Sequence, residues 1–315
     1  MQQPRWVDAA TVRRSVSPDR ARRLIRRELA DGLDPASDPP RLAASVGDGQ
    51  LLVMPSTNRR SAGIKVLSVA PGNPARGHDR IQAVYVLLDA DTLSPSVLID
   101  GTAVTSLRTP AVSAVAIDAL APAEVGSAVI FGSGPQALGH AEALLGIRHT
   151  SSVTVVGRRG DAARSTAQRI SGLASTHRLA TRGLTVGDPQ VEAAVREAQV
   201  VVTATSAATP VLDDDWVADG ACVVAIGSHE PHRRELGSGL LGRSLVVVED
   251  VGTAHREAGD VILAAAQGAL DWADVRTLQD VVLGRVGRAT DRPNVFKSVG
   301  MAWQDLVIAE HVARP

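Results

Sequence analysis

The sequence predicts an α/β protein in which a doubly wound parallel-sheet domain is joined to a mostly antiparallel α+β domain. Three observations predict it. Between residues 128 and 248 short apolar runs alternate with helix-patterned stretches, the signature of βαβ units. The first of these runs ends in a glycine-rich turn, Gly132-Ser133-Gly134, with a helix pattern directly behind it. From Arg41 to about Ile99, apolar runs succeed one another across turn residues with no helix pattern between them, as hairpin strands do.

Residues 8 to 31 read as a helix, with Ala9, Val12, Val16, Ala21, Leu24, Ile25 and Leu29 at helical spacing. A polar, proline-rich connection follows, from Asp34-Pro35 to Pro39-Pro40. From Arg41 to about Ile99 the pattern is strands and turns: 50–54, 63–69 ending at Pro71-Gly72-Asn73-Pro74, then 82–88 and 96–99 around Asp89-Ala90-Asp91-Thr92. A helix is expected from Ala111, with Thr109 as cap and Pro110 in the first turn. Parallel strands are expected at 128–131, 153–156, 185–186, 200–204, 222–226 and 245–248. The segment 294–298 leads into a last helix, 301–313, packed back on the first domain. The expected domains are residues 1–115 with 292–315, and residues 116–291.

Composition narrows the function. Across 315 residues, 33 lysines and arginines face 34 acids, a net charge of −1. That balance gives no general attraction to nucleic acid. Two phenylalanines, one tyrosine and four tryptophans leave little on which to stack single-stranded bases. Cys222 is the single cysteine, so no intrachain disulfide forms, which suits a reducing compartment. The first residues carry no signal-like apolar region, and no apolar run approaches the ~20 residues of a membrane span. The expectation is a soluble, cytoplasmic protein that binds neither nucleic acid nor membrane. The histidines and Cys222 form no ligand-spaced cluster, so no metal is expected.

The run Val129-Ile130-Phe131-Gly132-Ser133-Gly134-Pro135-Gln136-Ala137 has the dinucleotide-binding form of the strand–turn–helix, the Rossmann arrangement. Gly132 permits the tight turn. Gly134 lets backbone approach a pyrophosphate with no Cβ in the way. Helix N–H groups beginning near Pro135 face that anion. A bare βα turn needing glycine for geometry alone is the competing reading. NAD binders usually place an acid at the end of the second strand of such a sheet. Here Val155-Val156-Gly157-Arg158-Arg159 places two arginines there, suited to a 2′-phosphate. NADP(H) is therefore favoured over NAD(H). Thr203, Ala204 and Thr205, at the next strand end, are expected to line the cofactor.

Three further positions stand out. Lys65 sits in an apolar strand and shares a face with Leu67 and Val69. It is either a charge guarding an edge strand or a functional ammonium in a cleft. Arg108 precedes the expected helix start, where a guanidinium beside free N–H groups makes a carboxylate site. The segment Ala225 to Pro231 closes a parallel strand, and ligands sit beyond such strand ends. It contains His229 and Glu230.

These motifs, together with Gly63-Ile64-Lys65-Val66, Pro71 to Gly77, Asp100-Gly101-Thr102, Thr105 to Thr109 and Phe296-Lys297-Ser298-Val299-Gly300, resemble those of the ornithine cyclodeaminase and mu-crystallin family over nearly the whole chain. The resemblance implies a homodimer paired through the antiparallel, substrate-binding domain, and NAD(H) or NADP(H) on the other. It implies hydride transfer between nicotinamide and the α-carbon of a small amino or imino acid. Arg108 matches a carboxylate-binding arginine, Arg41 fits a second contact, and Lys65 matches the ammonium that stabilises charge and helps proton transfer. Ser298 is expected near the nicotinamide end. Thr109, Gly132, Ser133, Gly134, Pro135, Gln136, Ala137, Arg158, Arg159, Thr203, Ala204, Thr205 and Ser298 make up the expected cofactor set. Where cyclodeaminases and related alanine dehydrogenases carry an aspartate, this chain has His229. A histidine still donates protons near neutral pH, with Glu230 to orient it. The expected activity is reduction of a ketimine or cyclic imine carboxylate, or the reverse amino-acid dehydrogenation. A redox-neutral, ammonia-releasing ornithine cyclodeaminase and a non-catalytic, cofactor-bound ligand-binding dimer are the alternatives.

Overall fold

The computed structural model describes residues 3–174 and 178–314. The chain divides into two compact units: Met1–Thr109 with Met301–Pro315, and Pro110–Gly300.

In the first unit the order is β1 (Arg5–Val7), α1 (Ala9–Ser15), α2 (Pro18–Ala30), β2 (Leu42–Val46), β3 (Gly49–Thr57), β4 (Ser61–Val69), β5 (Ile81–Asp89) and β6 (Pro95–Asp100). The six strands form one sheet in the order β1-β6-β5-β4-β3-β2. All neighbours are antiparallel except the β1–β6 pair. The single helix expected over 8–31 is two. Pro18 disfavours helical backbone at the residue before it, and Ser17 is extended (φ −72°, ψ 159°) with its hydroxyl capping α2 at Arg20 N. Along α2, Ala21, Ile25 and Leu29 are buried in one stripe. In β4 the buried face carries Gly63, Lys65, Leu67 and Val69, the face that two-residue alternation assigned to Lys65.

Helix α3 (Gly101–Leu120) starts ten residues before the expected point, with Pro110 inside it. Asp100 caps it, accepting from Ala103 N at 2.8 Å. A Cβ on residue 101 would press on Ala83 of β5, so glycine is what lets the helix leave the sheet there. Pro110 forfeits one helical bond, which a long, largely buried helix tolerates. The division between units falls within α3.

The second unit continues with β7 (Ser127–Phe131), α4 (Pro135–Leu145), β8 (Ser152–Gly157), α5 (Gly160–Ser171), β9 (Ala180–Thr185), α6 (Gln190–Arg196), β10 (Val200–Thr203), β11 (Cys222–Ala225), α7 (Ser238–Gly242), β12 (Leu245–Val248), α8 (Val251–Glu257), α9 (Gly259–Ala266), β13 (Arg276–Thr277), α10 (Leu278–Val282) and β14 (Asn294–Lys297). All eight strands are parallel, in the order β13-β12-β14-β11-β10-β7-β8-β9. From β7 the chain winds outward through β8 and β9, then returns to build the other half from β10. The switch point lies between β7 and β10. Central strands β10, β11 and β14 are buried at every position, as a sheet covered on both faces requires.

Two boundaries move. The edge strand β9 lies mostly before the expected 185–186, because its alternating, half-exposed residues give no continuous apolar run. The return to the first unit comes at Met301, not at 292, because β14 inserts between β11 and β12 in the parallel sheet. Helix α11 (Ala302–Val312) then packs on β3, β4 and α2 of the first unit.

Candidate functional site

In the first unit, β4, α3 and α11 bring four polar side chains into the interior. Lys65 is 1% exposed. Its strand lies between β3 and β5, which removes the edge-guard reading. Lys65 Nζ donates to Asp305 Oδ2 at 2.6 Å and to Thr105 Oγ1 at 3.3 Å. Arg108 Nε donates to Asp305 Oδ1 at 3.2 Å, and its Nη1 to Gln304 Oε1 at 3.2 Å. Arg108 is not beside a helix N-terminus, as expected, but about two turns into α3. Thr105 and Arg108 share a face there by three-residue spacing. With Lys65 protonated, two cations and one carboxylate leave one net positive charge in this buried cluster. A bound carboxylate would cancel it.

Burial drives the Lys65 pKa down to about 7; Asp305 opposes this, while the charges of Arg108 and Arg41 add to it. Arg41 is half-buried just before β2. Nearby in the chain, Asp38 accepts from Ser56 Oγ at 2.6 Å and from Trp303 N at 2.6 Å. Burial raises its pKa to about 6 despite both bonds. Asp38 thus ties the segment leading to Arg41 to the start of α11, two residues from Asp305.

In the second unit, the glycine-rich turn has the form that the sequence implied. Gly132 has φ +115°, and a Cβ there would collide with the Ala204 carbonyl. Ser133 O accepts from Thr166 Oγ1 of α5 at 3.0 Å. Gly134 caps α4, Pro135 is its first residue, and Ala137 is buried beneath. The space beside Gly134 is open, and Gln136 Oε1 is buried with no described partner. This chain therefore has an anion cradle at a helix start that a pyrophosphate fits. Arg158 and Arg159 are exposed just beyond β8.

The other strand ends are internally committed. Thr203 is fully buried and donates to Glu235 Oε2 at 2.9 Å. Thr205 donates to Glu235 through both N and Oγ1. Ser298, 2% exposed, donates to Glu249 Oε1 at 3.0 Å, and Val299 N and Gly300 N also donate to Glu249. His229 is half-buried in the loop after β11. Glu230, expected to orient it, is turned to Arg233 at 3.2 Å, a strong cation only three residues on. Thr109, in α3 of the first unit, is buried.

Sequence reasoning missed Asp305, Gln304, Asp38, Glu235, Glu249, Asp260 and Lys297. A signal existed for some of them. Gln304 and Asp305 are polar residues directly ahead of the apolar run Leu306 to Ala309. Lys297 closes a short strand directly after the apolar pair Val295 and Phe296. Cys222 is buried, and burial pushes its thiol up to about 12, so it is an inert core residue. Among the described residues no three His, Cys, Asp or Glu side chains are grouped to hold a metal, and no helix is long and apolar enough to cross a membrane.

Known proteins are similar to this chain in both sequence and fold. A family model for the ornithine cyclodeaminase/mu-crystallin family matches residues 20–314. Delta(1)-pyrroline-2-carboxylate reductase 2 of Burkholderia ambifaria is 35% identical over 270 residues, covering 85% of this chain and 81% of that protein. The Delta(1)-pyrroline-2-carboxylate reductase of Thermococcus litoralis, solved with NADH and L-proline, superposes with a TM-score of 0.89 at 27% identity, over 98% of this chain and 96% of that one. An archaeal alanine dehydrogenase dimer with bound NAD gives 0.89 at 28% identity, over 98% and 95%. The chain belongs to the ornithine cyclodeaminase/mu-crystallin family.

Proposed function

We propose that this protein is a nicotinamide-dependent reductase of cyclic imino acid carboxylates of the pyrroline-2-carboxylate kind. The observation that carries the reading is the buried Lys65–Asp305–Arg108 cluster, which carries one net positive charge when Lys65 is protonated. Such a site demands an anionic substrate, and relatives 32–35% identical are named for reducing this one. Arg108 and Arg41 supply the guanidinium contacts to the substrate carboxylate. Asp305 and Gln304 hold Arg108 by Nε and Nη1, leaving Nη2 for the ligand. Gly132 to Ala137 would hold the nicotinamide cofactor, which when bound would supply the hydride for the imine carbon. The imine nitrogen then needs a proton. Lys65, its pKa pulled near neutrality, is suited to stabilise the adjacent charge and pass a proton. His229 is the second candidate donor.

Finer features belong to the same proposal. Arg158 and Arg159 favour NADP(H), although the Thermococcus litoralis protein was solved with NADH. The protein acts as a homodimer paired through its six-stranded sheet. Val66 and Val84 are cross-strand neighbours there, and both are exposed, as a surface awaiting a partner would be. The test is a panel of pyrroline-2-carboxylate, piperideine-2-carboxylate and ornithine, following both NADPH and ammonia. The reductase reading expects NADPH oxidation with the imino acids. Redox-neutral ammonia release from ornithine would replace it with cyclodeaminase activity.

A further inference from the structure

The second unit buries three ionisable side chains that the proposed chemistry does not use. Glu235, Asp260 and Lys297 are each no more than 1% exposed. Glu235 accepts four hydrogen bonds. Thr205 N and Thr205 Oγ1 reach Oε1 at 2.7 and 2.6 Å; Thr203 Oγ1 and Gly227 N reach Oε2 at 2.9 and 2.6 Å. Asp260 Oδ1 accepts from Glu235 N and Leu236 N at 2.7 and 2.9 Å, and its Oδ2 faces Lys297 Nζ at 2.9 Å. Lys297 Nζ also donates to Ser228 O at 2.7 Å.

We propose that Glu235 is the positioning residue of the nicotinamide half of the cofactor site, locking the Thr203–Thr205 turn to the Gly227–His229 loop. The inference rests on the cofactor reading above. The chain of contacts joins the C-terminal ends of β10, β11 and β14. All three lie on one side of the switch point, while the Gly132 turn and Arg158 lie at β7 and β8 on the other. Each half of such a sheet serves one half of the dinucleotide. Fragments of the cofactor therefore separate the two sides.

The chemistry requires a carboxylate. Four donors converge on two oxygens, and each oxygen meets one backbone N–H. A glutamine would set its amide N–H₂ against one of those N–H groups whichever way it turned. A threonine hydroxyl can rotate to accept, whereas a backbone N–H cannot. Residue 227 must also be glycine, because a Cβ there would overlap the Glu235 carboxylate. Burial raises the Glu235 pKa, against Lys297 and the Thr205 bonds, which lower it.

The test compares two ligands by calorimetry on the full chain: NADPH, and 2′-phospho-ADP-ribose, which lacks the nicotinamide nucleoside. In Glu235→Gln, NADPH affinity should fall at least about tenfold, the scale of one charge-assisted hydrogen bond. Affinity for the fragment should stay within about twofold. Thr203→Val, nearly isosteric, removes one donor from the same carboxylate and should show the same split on a smaller scale. It decides the matter if Glu235→Gln does not fold. Equal losses for both ligands, or no loss of NADPH affinity, overturn the proposal. Failure of the unaltered protein to bind either ligand overturns the cofactor reading itself, and this inference with it.

Discussion

Lys65 Nζ lies 2.6 Å from Asp305 Oδ2, in a pair whose side chains are 1% and 0% exposed. The partners are 240 residues apart in the chain, one on β4 and one on the last helix. Asp305 also holds Arg108, so one carboxylate orients both cations to which the substrate reading assigns binding and proton transfer.

Asp305→Asn leaves Lys65 and Arg108 without their shared anion. Breaking a buried pair in this way costs about 3 to 5 kcal/mol. Urea unfolding should show a loss of that order. With the largest influence holding the Lys65 proton removed, the limb of the activity profile that reports Lys65 should move to lower pH. An unchanged unfolding midpoint would show that the pair contributes nothing.

Arg108→Lys keeps a charge but loses the fork that meets Asp305 and Gln304 through separate nitrogens. A point charge cannot hold both and still present a planar edge to a carboxylate. Steady-state kinetics should show kcat/KM reduced at least about tenfold, mostly through KM. Unaltered kinetics would return Arg108 to a structural part.

Asp38 gives a pH signature. Its folded pKa of about 6 lies above the ordinary aspartate value of 3.8, so between those values the folded state binds more protons than the unfolded. Stability contributed by this group is full below the unfolded value and is lost as pH rises through about 6. Relative to Asp38→Asn, the unaltered protein should therefore lose stability from pH 4 to pH 6. The loss should be on the order of 1 kcal/mol after screening of a half-buried group. Denaturant midpoints of both proteins across that range check the sign; parallel curves contradict it.

Cofactor choice rests on two exposed arginines. Replacing Arg158 and Arg159 by alanine should weaken NADPH by about 1.5 to 3 kcal/mol per charged hydrogen bond lost, and NADH far less. Fluorescence titration of both cofactors measures it. Equal affinities in the unaltered protein would remove the 2′-phosphate role.

The glycine turn and the Lys65 strand were legible because their signals are local: a spacing of glycines, a charge in an alternating strand. The start of α3 was not. Pro110 resembles a first-turn proline, and only the capping of Ala103 N by Asp100, with Gly101 tight against Ala83, fixes the true start. Asp305 and Glu235 were illegible for another reason. Their meaning comes from partners that topology alone supplies: Lys65 across the first unit, and Thr203, Thr205 and Gly227 at neighbouring strand ends. Glu230 shows the reverse failure, since proximity in sequence to His229 implied a partnership, and its carboxylate pairs with Arg233 instead.

The most direct measurement is the stoichiometry of turnover. Pyrroline-2-carboxylate is mixed with the purified protein and excess NADPH, and amino acid formed, NADPH consumed and ammonia released are counted together. Reductase activity requires one NADPH oxidised per proline formed, with no ammonia, and negligible ammonia from ornithine. Proline and ammonia from ornithine at constant NADPH, or no consumption of NADPH with any imino acid, would contradict it.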